Sequence, residues 1–272
     1  MALTLGLAQF RIEGGKVAAN RRRGRDAIET ASARGADLVV LPEIFTVGYF
    51  AFETYERNAE SLDGETVSVL QATARENDIA VLGGSLVEDL EASAKEGFDT
   101  PAEEGYANTS VFIDRKGTQR AVYRKRHLFG YGSAEQELLT PGESLPSVEF
   151  EGFTVGMTTC YDLRFPELYR EFVDEGVTLM LVPSAWPYPR VEHWRLLPRA
   201  RAVENLCYVA AVNGVGTFEE AELLGRSTVY DPWGTVVAGL GDEAGLVTAR
   251  VDPDAVEQRR SEFPALEDRR EI

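Results

Sequence analysis

The sequence is poor in the residues that metal centres, disulfide frameworks and membrane spans require. Its 272 residues include two cysteines and two histidines, with no CxxC pair and no Cys/His cluster. This scarcity argues against a metal site, and we expect no cofactor. No apolar run reaches the ~20 residues that cross a bilayer, and the N-terminus lacks the features of a signal peptide. We therefore expect a cytoplasmic protein with no membrane partner.

Lysine is also scarce, because only four of the 28 basic residues are lysines. The 45 acidic residues bring the net charge to −17, which argues against nucleic acid as a partner. An acidic, lysine-poor composition is typical of proteins adapted to high salt. At ~1 M salt the Debye length is only ~3 Å, so repulsion among surface carboxylates is screened. We expect a halophilic protein, and a mesophilic acidic protein is the alternative.

The hydrophobic content of 44% is enough for a large core, and we expect one domain over residues 1–272. Strand-like apolar runs alternate with helix-like segments, which predicts an α/β protein with helices covering a mixed sheet. The predicted strands are 3–9, 37–42, 79–87, 108–114, 120–128, 153–159, 179–182, 208–213, 227–230 and 246–251. The predicted helices are 17–34, 66–77, 165–174, 192–206 and 252–260.

Three segments have composition typical of structural roles. Residues 88–106 are rich in Glu, Ala and Gly, which predicts an acidic surface loop. Cys207 lies in the apolar run NLCYVAAV and is expected to be a core residue. His193 and Trp194 are expected to have a capping or packing role in the helix at 192–206, and the DPWG segment at 231–234 should be a turn.

The phosphate loop GxxxxGK[ST], the GxSxG elbow and the HExxH zinc motif are all absent. What is present is a set of polar residues near the ends of apolar strands, where α/β proteins place their active sites. Glu43 follows LVVLP, Cys160 follows VGMTT just before a predicted helix, and Lys125 lies in VYRKRHLF. Taken singly, each has an ordinary alternative as a surface glutamate, a buried thiol or a solvated lysine.

Together the three residue types make chemical sense. A carboxylate can take the proton of a thiol, and the thiolate can then attack a neutral amide. An ammonium and backbone N–H groups can stabilise the resulting oxyanion. The position of Cys160 near a helix N-terminus predicts a lowered thiol pKa.

Three motifs carry a family resemblance. LPEIF at 41–45, YRKRHLF at 123–129 and CYDLRFPELYR at 160–170 resemble the nitrilase superfamily of carbon–nitrogen hydrolases. The resemblance runs from AQF at 8–10 to DPWG at 231–234. It implies an α-β-β-α sandwich with mixed sheets, paired into homodimers or higher homo-oligomers through helices near the nucleophile.

The resemblance also implies roles for individual residues. Glu43 is then the general base, Lys125 the oxyanion stabiliser and Cys160 the nucleophile, assisted by the backbone N–H of Tyr161. A second glutamate precedes a Pro-Gly pair in the family. Glu135 matches it best, and Glu137 is the alternative.

Residues 184–216 look like the ω-amidase group, which hydrolyses the terminal amide of 2-oxo dicarboxylate monoamides such as 2-oxoglutaramate. Such a substrate needs an anchor for its far carboxylate. We expect Arg190 to be that anchor, with Tyr49 and Trp186 as walls, although a surface arginine is the alternative reading of Arg190. Arg164 is expected to be a structural ion-pair partner, with Glu167 or with a neighbouring subunit.

Three other functions remain open from the sequence. Within the family these are hydrolysis of an N-carbamoyl amine or amino acid and hydrolysis of a nitrile. Outside catalysis, the chain could be a nitrilase-like binding module, although such a module has no chemical need for a cysteine, a glutamate and a lysine together.

The halophilic interpretation is tested by thermal melts across a KCl series. The melting temperature is expected to fall as KCl is removed, because repulsion among the surface carboxylates is then unscreened. Full stability at low salt would contradict the interpretation.

Overall fold

The structure is a computed structural model that describes residues 2–219 and 221–270, and its centre is a pair of stacked β-sheets. The strands are β1 (Leu3–Gln9), β2 (Leu38–Val40), β3 (Ala80–Leu82), β4 (Leu86–Asp89), β5 (Tyr106–Ile113), β6 (Gln119–Arg124), β7 (Ser147–Phe150), β8 (Phe153–Met157), β9 (Leu179–Ser184), β10 (Tyr208–Asn213), β11 (Val215–Thr217), β12 (Glu222–Leu224), β13 (Thr228–Tyr230), β14 (Val236–Gly239) and β15 (Gly245–Val251).

Helices follow many of these strands. The α-helices are α1 (Val17–Ala33), α2 (Glu65–Glu76), α3 (Leu90–Lys95), α4 (Glu135–Leu138), α5 (Pro166–Asp174), α6 (Val191–Asn205) and α7 (Pro253–Glu262). Short 3-10 helices cover Phe52–Thr54, Glu56–Asn58 and Cys160–Arg164. None of the helices in the described part of the chain is long and apolar enough to cross a membrane.

Both sheets are mixed, as the sequence predicted. The first has the order β15-β1-β2-β3-β5-β4, with β6 also paired to β5, and the second has the order β14-β13-β10-β9-β8-β7. Strands β1, β2 and β3 pair in parallel, as do β8, β9 and β10, while the other pairs within these sheets are antiparallel. Two antiparallel steps from β3 give β6 the same direction as β2 and β3, so their carboxyl ends share one edge.

Alternate residues of the central strands face different layers. Val40 of β2 packs in one apolar cluster with Val155 of β8 and Leu181 of β9, so this face of the first sheet meets the second sheet. The adjacent Val39 points the other way, into a cluster with Ile28 of α1. Because side chains alternate along a strand, one sheet thus buries both faces, and the expected α-β-β-α sandwich is confirmed.

The outer face of the second sheet is covered by α5 and α6. Gly156 in β8 allows a close approach, because a Cβ there would lie 2.8 Å from Met180 Sδ and 3.1 Å from Phe172 Cδ1 of α5. Helix α5 begins with Pro166 at its first turn, as predicted, since its missing N–H would be unpaired there in any residue.

The predicted strand at 79–87 is wrong as one continuous element. It is broken into β3 and β4 by the segment 83–85, where Gly84 has a φ of +58°. A Cβ on Gly84 would lie 2.0 Å from the carbonyl oxygen of Pro42, directly before Glu43. The break therefore lets the turn after β2 pass close to the first sheet.

The predicted acidic surface loop at 88–106 is wrong for its first half. Residues 86–89 form β4, and the Asp89 carboxylate caps α3 by accepting from the N–H of Ala92 at 2.9 Å. Glu88 is fully buried in a two-pronged ion pair with Arg124, at 2.7 and 2.8 Å. The acidic composition concealed a buried carboxylate, because its partner lies on a distant strand.

Gly84→Ala is expected to destabilise the fold much more than Gly35→Ala. Both glycines have a positive φ, which costs an alanine about 1–2 kcal/mol. Gly35 has no atom within 4 Å of an added Cβ, whereas at Gly84 the clash with Pro42 adds a further ~1–3 kcal/mol. Urea unfolding of the two variants measures the difference. Equal losses would contradict the close approach at Pro42.

Candidate active site

A buried lysine lies between two buried glutamates at the shared edge of the sheets. Lys125 Nζ is 2.9 Å from Glu43 Oε1 and 2.9 Å from Glu135 Oε1, and all three side chains are fully buried. Glu43 follows β2, Lys125 follows β6 and Glu135 begins α4. The structure thus brings together three of the residues that the sequence pointed to.

Glu135 is the more extensively bonded of the two carboxylates. Besides both contacts with Lys125, it accepts from the Tyr49 hydroxyl at 3.0 Å and from the Phe129 N–H at 2.7 Å. Glu137, the alternative from the sequence, is exposed and lies outside this cluster. The Pro-Gly pair also has a place here, because the N–H of Gly142 donates to the Lys125 carbonyl at 3.0 Å.

Glu43 connects the two sheets. Its Oε2 accepts from the N–H of Ala185, just past β9, at 2.8 Å, and its own N–H donates to the Ser184 carbonyl at 3.3 Å. Its Oε1 accepts from Asn108 Nδ2 in β5 at 2.9 Å. The glutamate is therefore fixed by the first sheet on one side and by the second sheet on the other.

Cys160 lies beside Glu43, and the interaction of the thiol with the carboxylate shifts the pKa of both groups. It begins the 3-10 helix Cys160–Arg164 after β8, and its φ of +48° is in the left-handed region, which costs a non-glycine residue about 1–3 kcal/mol. With 9% of its surface exposed, the side chain is buried and still open to a cavity.

The charges of the cluster set the protonation states. Burial, followed by the charge of Glu43, raises the pKa of the Cys160 thiol well above its usual value, and Lys125 offsets only part of this. The predicted lowering of the thiol pKa is therefore wrong, because desolvation and a neighbouring carboxylate outweigh the helix terminus. Burial also raises the pKa of Glu43, with a further contribution from Glu135.

Lys125 behaves in the opposite way. Burial alone would lower the pKa of its ammonium, but the charges of Glu135 and Glu43 outweigh burial and raise that pKa well above its usual value. The resting site thus contains a protonated thiol, an ammonium, and in Glu43 a carboxylate with increased basicity that is hydrogen-bonded to the ammonium.

Asp162, which the sequence reasoning missed, fixes the turn that carries Cys160. This fully buried carboxylate accepts from the N–H of Thr159 at 2.9 Å, from the Tyr123 hydroxyl at 2.6 Å and from the N–H of His127 at 3.0 Å. It links the residue before the cysteine to the loop after Lys125. Its place in CYDLRF, two residues after Cys160, was the only signal in the sequence.

A cavity of about 360 Å³ opens onto Cys160. This volume includes space that is open to solvent. Tyr49, Trp186 and Arg190, the three residues expected to face a substrate, all line it, as does Tyr161.

Arg164 also lines this cavity, and the expectation that it pairs with Glu167 is wrong. Its guanidinium lies 5.7 Å from the ring centre of Tyr161 and 5.1 Å from that of Trp186, and it contacts His193 Nδ1 at 3.1 Å. Stacking on aromatic faces holds this guanidinium in place.

Arg190 lies in a similar way over Phe129, at 5.6 Å. Among the described residues neither Arg164 nor Arg190 forms an ion pair with a carboxylate. The packing role expected for Trp194 is confirmed, because it is 2% exposed and 5.6 Å from Trp186. Cys207 is fully buried, as predicted. Within the described ranges, no cluster of three or more His, Cys, Asp and Glu side chains could hold a metal.

The sandwich and its site define a class of protein, a hydrolase with two stacked mixed sheets and a buried cysteine, glutamate and lysine. The family model for carbon-nitrogen hydrolases matches residues 4–261, and the chain belongs to this family. The predictions of the family, of the sandwich fold and of a carbon–nitrogen hydrolase enzyme are confirmed.

Two bacterial amidases are similar to this chain in sequence. The chain is 38% identical to a 2-oxoglutaramate amidase of Paenarthrobacter nicotinovorans, over 86% of this chain and 79% of that protein. It is 34% identical to a 2-oxoglutaramate amidase of Bacillus subtilis, over 98% of both chains.

Solved structures agree in fold. Nit3 of Saccharomyces cerevisiae, a nitrilase superfamily member, has a TM-score of 0.88 at 30% identity, covering 99% of this chain and 97% of Nit3. An amidase from Nesterenkonia has a TM-score of 0.81 at 28% identity, covering 97% of this chain and 99% of that one, and it carries an acrylamide adduct on its active-site cysteine.

Cys160 is expected to be a thiol, not a thiolate, at neutral pH. Ultraviolet titration of the wild type minus Cys160→Ala should show no thiolate step at or below ~8.5, the value of a free cysteine. Cys207 does not interfere, since burial raises its pKa to about 12. A step near neutrality would mean that Lys125 stabilises a thiolate in the resting site.

Proposed function

We propose that the chain is an ω-amidase, which hydrolyses the terminal amide of a small 2-oxo dicarboxylate monoamide such as 2-oxoglutaramate. The observation that carries the proposal is the cavity itself. At its inner end is the thiol of Cys160 beside Glu43 and Lys125, and its walls include two arginines with no carboxylate partner among the described residues. The names of the bacterial relatives support the same substrate.

The first half of the reaction forms a thioester. Glu43 takes the proton of Cys160 as the sulfur attacks the amide carbon, and the carbonyl oxygen becomes an oxyanion held by Lys125 and the N–H of Tyr161. Losing one such donor typically costs ~3–4 kcal/mol of transition-state stabilisation. As the carbon–nitrogen bond breaks, protonated Glu43 gives its proton to the nitrogen, and ammonia leaves.

The second half hydrolyses the thioester. Glu43 takes a proton from water as the water oxygen attacks the acyl carbon, again with the oxyanion held by Lys125. The carbon–sulfur bond breaks, the sulfur recovers a proton from Glu43, and the carboxylic acid is released. A buried base of raised pKa suits both halves, because it must accept and return a proton at similar pH.

The contacts favour different roles for the two glutamates. Glu43 and Cys160 are close enough to shift each other's pKa, whereas Glu135 is occupied by Lys125, Tyr49 and the N–H of Phe129. Glu43 is thus placed to exchange protons with Cys160. Glu135 is placed to hold the ammonium in position for the oxyanion.

The two arginines favour an anionic substrate. In a chain with a net charge of −17, they place two guanidinium groups in the cavity that contains the nucleophile. Both are held over aromatic rings, so their planar donors are in place for a carboxylate before it binds. A monoamide whose other end is a carboxylate satisfies both the arginines and the nucleophile.

We further propose that the protein is a cytoplasmic homodimer. Exposed apolar side chains on and beside α6 support the dimer: Leu196, Val203, Trp233 and Phe263. Free cysteines suit the reducing cytoplasm. The acidic composition supports function at high salt.

Ammonia release tests the substrate. The wild type is expected to release ammonia from 2-oxoglutaramate much faster than from an N-carbamoyl amino acid, whose ureido carbonyl is less electrophilic than an amide, or from a nitrile, which has no amide carbonyl. Cys160→Ala should abolish release and leave the unfolding transition unchanged. Retained activity in the purified variant would show that Cys160 is not the nucleophile. Faster release from the carbamoyl compound would show that the chain hydrolyses N-carbamoyl compounds instead.

Two amides, one with a carboxylate and one neutral, test whether Arg164 binds the substrate carboxylate or contributes to the reaction itself. Arg164→Met should raise KM for 2-oxoglutaramate about 10- to 100-fold, the loss expected for a charged hydrogen bond. It should have little effect on a neutral amide of equal length. Arg195→Met, at an exposed position of α6, is the matched control. Equal effects of Arg164→Met on both amides would exclude an anchoring role.

A further inference from the structure

We propose that Asn108 is a positioning residue that sets the pH above which Glu43 can act as the base for Cys160. This inference rests on the proposed function, since it concerns the same base and thiol. Asn108 is not part of the three motifs that indicated the family, and it lies in the segment YANTSVFI, which forms β5.

Asn108 and Lys125 donate hydrogen bonds to the same two carboxylate oxygens. Its Nδ2 donates to Glu43 Oε1 at 2.9 Å and to Glu135 Oε1 at 3.1 Å. Lys125 Nζ binds the same two oxygens, each at 2.9 Å. Two donors thus share two acceptors, one donor being charged and the other neutral.

The backbone holds this amide in register. The N–H of Lys125 donates to the Asn108 carbonyl at 2.9 Å, and Val87 of β4 is paired with Asn108 on the other side. Any shift of β5 would therefore move Asn108 and Lys125 together relative to the two carboxylates.

The orientation of the amide follows from charge. Turning it over would direct Oδ1 at two carboxylate oxygens, an arrangement with no hydrogen atom between acceptors. The Oδ1 atom is buried and has no hydrogen-bond partner among the described residues. The site leaves this acceptor unpaired while both N–H bonds are directed at the glutamates.

These bonds act on the proton of Glu43. The cluster holds two carboxylates but one ammonium, so burial and mutual repulsion both favour protonation of a carboxylate. An N–H donor favours the ionised form without adding a charge, whereas a second cation would make Glu43 too weak a base. Asn108 therefore keeps Glu43 ionised at a lower pH than Lys125 alone could.

Ionisable groups face this amide from several elements. Glu43 and Lys125 face it from the ends of β2 and β6, and Glu135 faces it from α4. The Tyr49 hydroxyl donates to Glu135, and Cys160 interacts with Glu43. Glu88 and Arg124 lie on the other face of β5, where Arg124 and the Thr109 hydroxyl both donate to the Glu88 carboxylate. Their pairing is complete, so they do not supply a competing donor to Glu43.

The test is the pH profile of Asn108→Leu, which keeps the size of the side chain and removes both donors. The acid limb of kcat/KM is expected to move up by about one pH unit, with a ~10-fold loss below the limb and recovery above it. Asn108→Asp, which keeps the shape and adds a negative charge, should move the limb at least as far. Ser110→Ala, on the same face of β5 with an unpaired hydroxyl, is the matched control with an unmoved limb.

A second readout needs no substrate. The rate at which iodoacetamide alkylates Cys160 also depends on Glu43, so its acid limb should move upward in the same variants. If the wild type hydrolyses no amide but the alkylation limb moves, the role of Asn108 stands and the proposed function fails. If either variant folds and both its limbs stay at the wild-type pH, whether its rate is unchanged or lowered at every pH, the role of Asn108 is overturned.

Discussion

The structure depends on one buried interaction, the ammonium of Lys125 held between the carboxylates of Glu43 and Glu135. Taking three charges out of water is costly, and an apolar cluster of the same size would often be at least as stable. The presence of these three buried charges is therefore better explained by a role in the reaction than by a contribution to the stability of the fold. Glu43 follows β2, Lys125 follows β6 and Glu135 begins α4. The cluster therefore forms only when the ends of β2 and β6 and the start of α4 lie at one edge.

The second constraint is that the cluster lies across the two sheets. Glu43 comes from the first sheet, yet its carboxylate accepts from the N–H of Ala185, just past β9 of the second sheet, and interacts with Cys160, just past β8. The turn after β2 can approach because Gly84 has no side chain, and the turn after β8 is fixed by Asp162. Sheet packing and catalysis thus share the same contacts, so a change in either should affect both.

The cavity and the surface carry opposite signs of charge. The chain has a net charge of −17, whereas the cavity presents Arg164 and Arg190 beside the nucleophile. Their stacking on aromatic rings reduces the freedom that a bound carboxylate would otherwise have to restrict. Asn108 lowers the pH at which Glu43 ionises, and it does so with neutral donors, so the charge balance of the cavity is unchanged.

The sequence by itself determined the alternation of strands and helices, the family, and the choice of Glu43, Lys125, Cys160 and Glu135 as candidates that folding then brings together, because local apolar patterns and short motifs carry that information. Only the tertiary structure decided what depends on distant partners. Arg164 was expected to pair with Glu167 or with a neighbouring subunit, but within the chain it lies against Trp186 in the cavity and not against Glu167. The thiol pKa was expected to be lowered by a local helix end, but burial and Glu43 from the other sheet raise it. Asn108 gave no signal at all, since an asparagine in a strand acquires meaning only from the two carboxylates that folding brings to it.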